Sequence, residues 1–447
     1  MTLAVDEREP VGPLHRLLQR VVDVRANEVS SMLTSFAFFF FLLSSYFVLR
    51  PIRDAVAAAS GITKLPWLFA GTLTVTLICN PMFSWLVVRF PVRRVIPISY
   101  HFFTLSFLAF YAVLRFVVGA EGSAGDVWMQ RAFFVWLTVF ALFNTSIFWC
   151  LMADAFNSEQ AKRMFAFIGV GGTLGSIIGS AATAALAPQI GAVNMLLVSA
   201  ALLQLGIFVI TRFPLAKQGT GGTGTVGRRV GRRGDEPDVI GGSVWSGFGA
   251  LAKSPYLLGI CAFQILYVIG STVLYFAQSE LVGRYYSDLT ARTAILAQLE
   301  LAAQVLTVVT QAFLTGRIIR WFGLAVALAL LPFMSIVGFG ALGAIPVFAT
   351  VALFTVLRRG SNFAITNPAM EVLFTVVPRE DKYKAKNIIE TFVYRGGDQV
   401  GAWAYAGLAA LGLGLSGISF VTVPLSAVWL VLGVWLGRRQ AVLARAQ

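Results

Sequence analysis

Histidine is almost missing from this chain of 447 residues: there are two, His15 and His101, far apart in sequence. That scarcity argues against a histidine-based nucleophile relay and against a histidine-ligated metal. Cysteine is nearly as rare. Cys79, Cys150 and Cys261 all fall in apolar stretches without CxxC spacing, so they read as small core residues rather than a disulfide framework or a metal clip. Charge is scarce too, at 13% of residues against about 25% in a soluble domain, while 57% are hydrophobic. No strand–GK[ST]–helix pattern is present, which removes an ATP-hydrolysing phosphate loop. No cofactor and no enzymatic activity are expected.

What remains is a series of apolar runs, each near the ~20 residues needed to cross a bilayer. The spacing predicts spans near 31–50, 67–88, 95–118, 128–152, 164–187 and 190–212, then 255–279, 293–316, 322–345, 347–377, 388–412 and 417–437. The expected fold class is therefore an all-α membrane protein with twelve transmembrane helices in two six-helix halves. The first half covers 31–213 and the second 255–437, with a cytoplasmic linker over 214–254 and a tail over 438–447. The linker contains the Gly-rich basic run from Gly219 to Arg229, which reads as flexible, and Val244 to Ala252 suggests a short interfacial helix. Residues 1–30 carry Leu14, Leu17, Leu18, Val21 and Val22 at helical spacing, interrupted by Arg16, Arg20 and Arg25, as in a helix lying on a membrane surface. No cleavable leader is expected, because the first apolar run is long enough to span.

Positive charge is distributed on one alternating set of gaps. Twenty-five of the 35 lysines and arginines lie there, and only Lys64, Arg115, Arg131, Arg284 and Arg292 lie in the opposite set. The positive-inside bias places both termini in the cytoplasm and requires an even number of spans. A multi-pass protein of the inner (cytoplasmic) membrane is expected, acting as a monomer. The net charge of +14 then answers an anionic leaflet, and no nucleic acid is expected as a partner.

Five arginines fall within or against the spans. Arg50 and Arg53 are three apart and Asp54 is four from Arg50, so they share a face if the helix passes Pro51. They form either a salt-bridged helix end or an anion contact at the mouth of a cavity. Arg358 and Arg359 sit mid-span beside Asn362. Two adjacent helical residues point about 100° apart, so at least one faces the interior, unless the helix breaks at Gly360 or Pro368 and leaves both in a loop. Arg395 and Asp398 are three apart in the eleventh span, near Glu390, and can pair with each other or meet a solute. Glu300, flanked by Gln298 and Gln304, can pair with an arginine or take up a proton. Asn144 in the fourth span is a polar candidate, as are Gln264, Tyr267, Ser271, Thr272 and Tyr275 in the seventh. Each could equally bridge helices. Gly171, Gly175 and Gly179 make a smooth stripe for close helix packing.

The two halves carry matching local signals. Arg89-Phe-Pro-Val-Arg-Arg and Gly316-Arg-Ile-Ile-Arg-Trp-Phe-Gly are tight basic turns between paired helices, and Glu159 to Arg163 and Asp381 to Lys386 each precede a glycine pair. This arrangement resembles the major facilitator superfamily over nearly the whole chain. Within it, Val48-Leu-Arg-Pro-Ile-Arg-Asp-Ala resembles the first-span signature of the bacterial and plastid ATP/ADP translocase family. Phe148-Trp149 with Glu159-Gln-Ala-Lys-Arg-Met-Phe is similar to its fifth-span entry. Asn367-Pro-Ala-Met-Glu371 with Lys384-Ala-Lys386-Asn-Ile-Ile-Glu390 is similar to its tenth-to-eleventh segment. The resemblance implies that Arg53 is a basic substrate contact with Asp54 as its partner. Two acidic residues of that family have no counterpart: Leu137 and Thr138 stand in one region and Tyr275 in the other. A family lysine falls near Arg395 or Asp398.

These residues predict a secondary transporter moving an anionic solute through alternating access, and the resemblance implies nucleoside triphosphate/diphosphate exchange. The substrate-contact candidates are Arg50, Arg53, Asp54, Asn144, Arg358, Arg359, Asn362 and Arg395, and the coupling or ion-pair candidates are Glu300, Glu390 and Asp398. A lipid or lysolipid flippase, or another organic-anion or phosphate carrier of the same fold, is the alternative. A membrane-embedded transferase would need an acid–base or metal cluster that His15 and His101 do not supply.

Overall fold

The computed structural model describes residues 24–25, 28–90, 92–118, 122–156, 158–212, 254–378, 382, 385–386 and 388–446. The amphipathic stripe from Leu14 to Val22, the Gly-rich linker and the suggested helix at Val244 to Ala252 lie outside them. Every described element is helical. In chain order they are α1 (Val29–Ser60), α2 (Leu65–Arg89), α3 (Val92–Phe116), α4 (Ala124–Ala155), α5 (Ser158–Ile190) and α6 (Met195–Thr211). They continue with α7 (Pro255–Tyr285), α8 (Leu289–Phe313), α9 (Thr315–Ala344), α10 (Phe348–Ser361), α11 (Asn367–Leu373), α12 (Tyr394–Ala410) and α13 (Leu415–Ala446). Among the described helices, eight are long and apolar enough to cross a membrane. The chain is a multi-pass, all-α membrane protein.

The helix ends follow local chemistry. The Ser254 hydroxyl accepts from the Leu257 N–H, and Pro255 occupies the first turn of α7, where a missing N–H costs nothing. Asp288 caps α8 by accepting from the Ala291 N–H at 2.7 Å. At the end of α5, Gly191 takes φ 87° while its N–H bonds the Ala187 carbonyl, a left-handed cap that side chains resist.

Three elements depart from the predicted spans. The first does not stop at residue 50: α1 passes through Pro51 to Ser60. The basic segment after Gly316 is not an open turn. It is helical, and the break comes at Gly323 with φ 79° and ψ 172°. The tenth span is not one helix. A π-helical turn over Asn362–Thr366 separates α10 from α11, a 3-10 turn over Phe374–Val376 follows, and a second π-turn, Ile389–Val393, leads into α12.

The chemistry of the first π-turn is explicit. Pro368 has no N–H to give the carbonyl of Ala364, four residues earlier. That carbonyl accepts the Thr315 hydroxyl instead, at 2.7 Å, and the neighbouring Phe363 carbonyl accepts from Gln311 Nε2 at 3.1 Å. Both donors come from the α8–α9 junction. Polar side chains thus replace helix ladder bonds where water is scarce.

The described residues fall into two compact units. One holds those up to Ile52 and from Thr76 to 212; the other holds Arg53–Val75 and those from 254 onward. In the first, α1 is the central strut. A Cβ added at Gly171, Gly175 or Gly179 would collide with the backbone carbonyl of Phe36, Phe40 or Ser44, so the stripe on α5 lies directly on α1. Hydroxyls tie α1 to its neighbours: Ser44 to the Gly175 carbonyl (3.1 Å), Thr183 to the Val48 carbonyl (3.0 Å) and Ser45 with Ser199 (2.8 Å). Aromatic pairs fill the remaining volume, including Phe39 stacked on Phe148 with centroids 4.1 Å apart. In the second unit α7 is central. Gly397 and Gly401 of α12 lie against Val268 and Thr272, and Gly433 and Gly437 let α13 meet α9 closely at Leu328 and Ala325.

Candidate functional site

Polar chemistry concentrates on the middle of α7, a helix of 31 residues. Thr272 and Tyr275 are three apart and share a face. Thr272, fully buried, donates its hydroxyl to Asp398 at 3.1 Å. Tyr275 donates its hydroxyl to Asp54 at 3.0 Å. Asp54 in turn accepts two bonds from the Arg53 guanidinium, Nη2 at 2.8 Å and Nε at 3.1 Å. Arg395 pairs with Asp398 more loosely, at 3.8 Å. Arg53 is also within electrostatic reach of Asp398. The second unit therefore gathers two arginines and two aspartates around one face of one helix. Arg53 and Arg395 retain 18% and 34% side-chain exposure, so neither guanidinium is fully enclosed.

The adjacent face of α7 holds Arg358 differently. Its Nε donates to Ser335 Oγ (3.1 Å), Nη1 to Ser271 Oγ (2.7 Å) and Nη2 to the Tyr267 carbonyl (3.1 Å). The guanidinium also lies over the rings of Tyr267 and Trp429, 5.3 and 5.8 Å from their centroids. Only 3% of the residue is exposed. Neutral dipoles and aromatic faces hold this cation, and its donors are turned into the protein rather than toward a solute.

Arg359, one residue on, points elsewhere, as the 100° helical step requires. It pairs with Glu300 at 2.6 Å, and Glu300 also accepts from Gln304 at 3.1 Å. Both arginines are in the last turn of α10 and not in a loop. Asn362, 4% exposed, starts the π-turn, where its carbonyl accepts the Asn367 N–H. The backbone of Glu390 lies in the second π-turn, and its side chain is outside the described residues.

In the first unit, Arg50 lies over the Phe47 ring at 5.3 Å. Asn144 bridges helices: its Nδ2 donates to the Leu42 carbonyl at 3.3 Å and its own carbonyl accepts the Tyr100 hydroxyl at 3.0 Å. The predicted residues thus fall into separate groups. Arg53, Asp54, Arg395 and Asp398 share α7 as a platform, Arg358 has its own socket, and Arg359 with Glu300 makes a third.

Sequence reasoning overlooked Ser335 and Trp429, the distant half of the Arg358 socket. Neither carries a pattern of its own, since each is a single polar or aromatic residue in an apolar run. It also overlooked Glu28, which is 3% exposed and joins Arg163 at 3.1 Å and Gln160 at 2.9 Å at the start of α1. An acid placed among the arginines of a basic N-terminal segment was the available signal. Among the described residues no group of three or more potential ligands could hold a metal ion.

No family model matches the chain. It is 22% identical over 504 residues to ADP,ATP carrier protein 2 of Chlamydia pneumoniae, covering 96% of this chain and 92% of that one. Among solved structures, a bacterial homologue of the iron transporter ferroportin in an inward-facing state matches with a TM-score of 0.62 at 11% identity, over 93% of this chain and 99% of that one. A D-xylose–proton symporter matches with a TM-score of 0.59 at 12% identity, over 92% and 97%. The chain has the fold of major facilitator transporters, with its distant sequence likeness running to ADP,ATP carriers.

Proposed function

We propose that this protein is a secondary active transporter that moves an anionic solute by alternating access, with nucleotide exchange as the favoured chemistry. The observation that carries the reading is the α7 platform: Arg53 and Arg395, partly exposed inside an apolar helical unit beside Asp54 and Asp398. Charges at that depth are costly and persist where something meets them. An arriving phosphate or carboxylate would take guanidinium donors from Asp54 and Asp398, and Tyr275 and Thr272 would hold the released carboxylates. Arginine suits this exchange because its planar fork binds either oxyanion in bidentate fashion. The near-full-length likeness to ADP,ATP carriers favours a nucleotide among the anions. Arg50, Asn144, Arg358, Arg359, Asn362, Glu300 and Glu390 belong to the candidate set as well, with Arg358 and the Arg359–Glu300 pair acting as struts in this conformation.

The chain would cross the inner membrane twelve times as two six-helix halves. The eight long helices supply most crossings. The shorter Leu65–Cys79 and Met195–Thr211 and the two elements interrupted by π-turns supply the rest. Both termini would be cytoplasmic, and gradients or counter-substrate would supply the energy.

The test is uptake of labelled ATP, ADP, phosphate and a dicarboxylate into proteoliposomes preloaded with each in turn. Nucleotide exchange should dominate, and Arg53→Ala and Arg395→Ala should each lower it at least tenfold in protein that elutes normally on size exclusion. Uptake unaffected by both substitutions would remove the α7 platform from the transport path, and no uptake of any anion would remove the reading.

A further inference from the structure

A pocket of about 400 Å³ opens at one end of the second unit, away from the α7 platform, and nothing above uses it. Three segments enclose it: the start of α7 (Ser254 to Leu257), the turn Val376–Pro378, and the last turns of α13. On α13 the lining residues Trp435, Arg439 and Leu443 recur every four positions, so one helical stripe presents an aromatic ring, a cation and an aliphatic chain in that order.

We propose that this pocket binds the headgroup phosphate of an anionic glycerophospholipid. Four features select that occupant. First, depth: Leu415 to Arg439 spans about 36 Å at 1.5 Å per residue, slightly more than the ~30 Å hydrocarbon core, so Arg439 falls at headgroup level. Second, charge: among the described residues Arg439 is exposed, has no ion pair and shares the pocket with no carboxylate. A zwitterionic lipid would bring its own ammonium against that arginine. Third, donors: the Ser254 oxygen is used in capping the Leu257 N–H, which leaves its O–H to donate, and the positive end of the α7 dipole points the same way. The Tyr256 hydroxyl is already committed to the Leu373 carbonyl at 2.9 Å. Fourth, the remaining wall is apolar: Leu257, Val376, Val377, Trp435 and Leu443 suit the first carbons of an acyl chain rather than a soluble ion.

The inference does not rest on the transport reading, and its test needs no substrate. The full chain in detergent is titrated with phosphatidylglycerol, phosphatidylcholine or soluble glycerol 3-phosphate, and retained molecules are counted by native mass spectrometry. Phosphatidylglycerol should be retained in preference to phosphatidylcholine. Arg439→Gln should cost about tenfold in that retention, as expected for one charge-assisted contact. Arg438→Gln removes an equal charge one residue away, outside the pocket, and should leave retention within about twofold. Leu443→Trp keeps the charge but narrows the pocket and should lose the lipid as well. Equal losses from the two arginine variants would reveal diffuse surface attraction and overturn the site. So would equal retention of both lipids, or glycerol 3-phosphate competing as well as phosphatidylglycerol.

Discussion

The two units solve the same problem, burial of polar groups among apolar helices, by different means. In the first, short hydroxyl side chains donate to backbone carbonyls along α1, and the ion pair Glu28–Arg163 stands at a helix end. In the second, full charges enter the spans and meet there: Arg53 with Asp54, Arg359 with Glu300, Arg395 with Asp398. A hydroxyl-to-carbonyl bond adds adhesion without a charge to desolvate. An ion pair at membrane depth adds little net stability yet is costly to break from one side. The contrast separates cohesion by neutral bonds in one unit from buried ion pairs in the other.

The sharpest way to break this contrast is to remove one partner of a buried pair within the second unit. Glu300→Ala should destabilise the protein by about 3–5 kcal/mol, because Arg359 is left without its carboxylate. Adding Arg359→Leu should recover most of that loss, which thermal unfolding in detergent would measure. The matching experiment in the first unit is Gly175→Val. Its side chain meets the Phe40 backbone, which cannot move aside as a flexible side chain would. A loss of about 1–3 kcal/mol is expected, again by thermal unfolding. A null effect would mean that α1 and α5 are not packed as described. Thr272→Val is milder: it deletes one neutral donor to Asp398, about 1 kcal/mol. It should change anion affinity in the uptake assay more than it changes melting temperature. Ser199→Ala, its counterpart in the first unit, should do the reverse.

The smallest effect concerns pH. Burial alone would raise the Glu28 carboxyl, but the Arg25 N–H, Gln160 and Arg163 outweigh it and hold the carboxyl below its usual range. A depressed carboxylate contributes stability above its unfolded value of about 4.3, and the contribution is lost as pH falls through the lower folded value. Glu28→Gln should therefore flatten the acid limb of a melting-temperature profile by lowering the neutral region, and leave the most acidic points nearly unchanged.

The helices themselves were legible because an apolar run of membrane length has few other solutions. The divergence of Arg358 and Arg359 was legible too, since adjacent helical residues cannot share a face. Their partners were not. Ser335 and Trp429 are brought to Arg358 by the packing of α9 and α13, and no local spacing encodes that. Pro368 and Gly360 signalled an interruption, but the π-turn depends on Thr315 and Gln311, which lie some fifty positions earlier and carry no mark of it. The spacing of Arg395 and Asp398 suggested a pair within one helix. The structure keeps it loose, at 3.8 Å, with Thr272 bonded to the other carboxylate oxygen.

The interruption at Pro368 has one further consequence. Its freed carbonyls are held by side-chain donors from the α8–α9 junction, so the widened turn is fixed in place although the backbone ladder is interrupted there. Releasing Thr315 and Gln311 costs about 1 kcal/mol apiece, and the segment beyond is held as well by the Tyr256 bond to the Leu373 carbonyl and the Glu371–Lys386 pair. The tenth element is thus one helical rod with a single wide turn in it, pinned on both sides of Pro368.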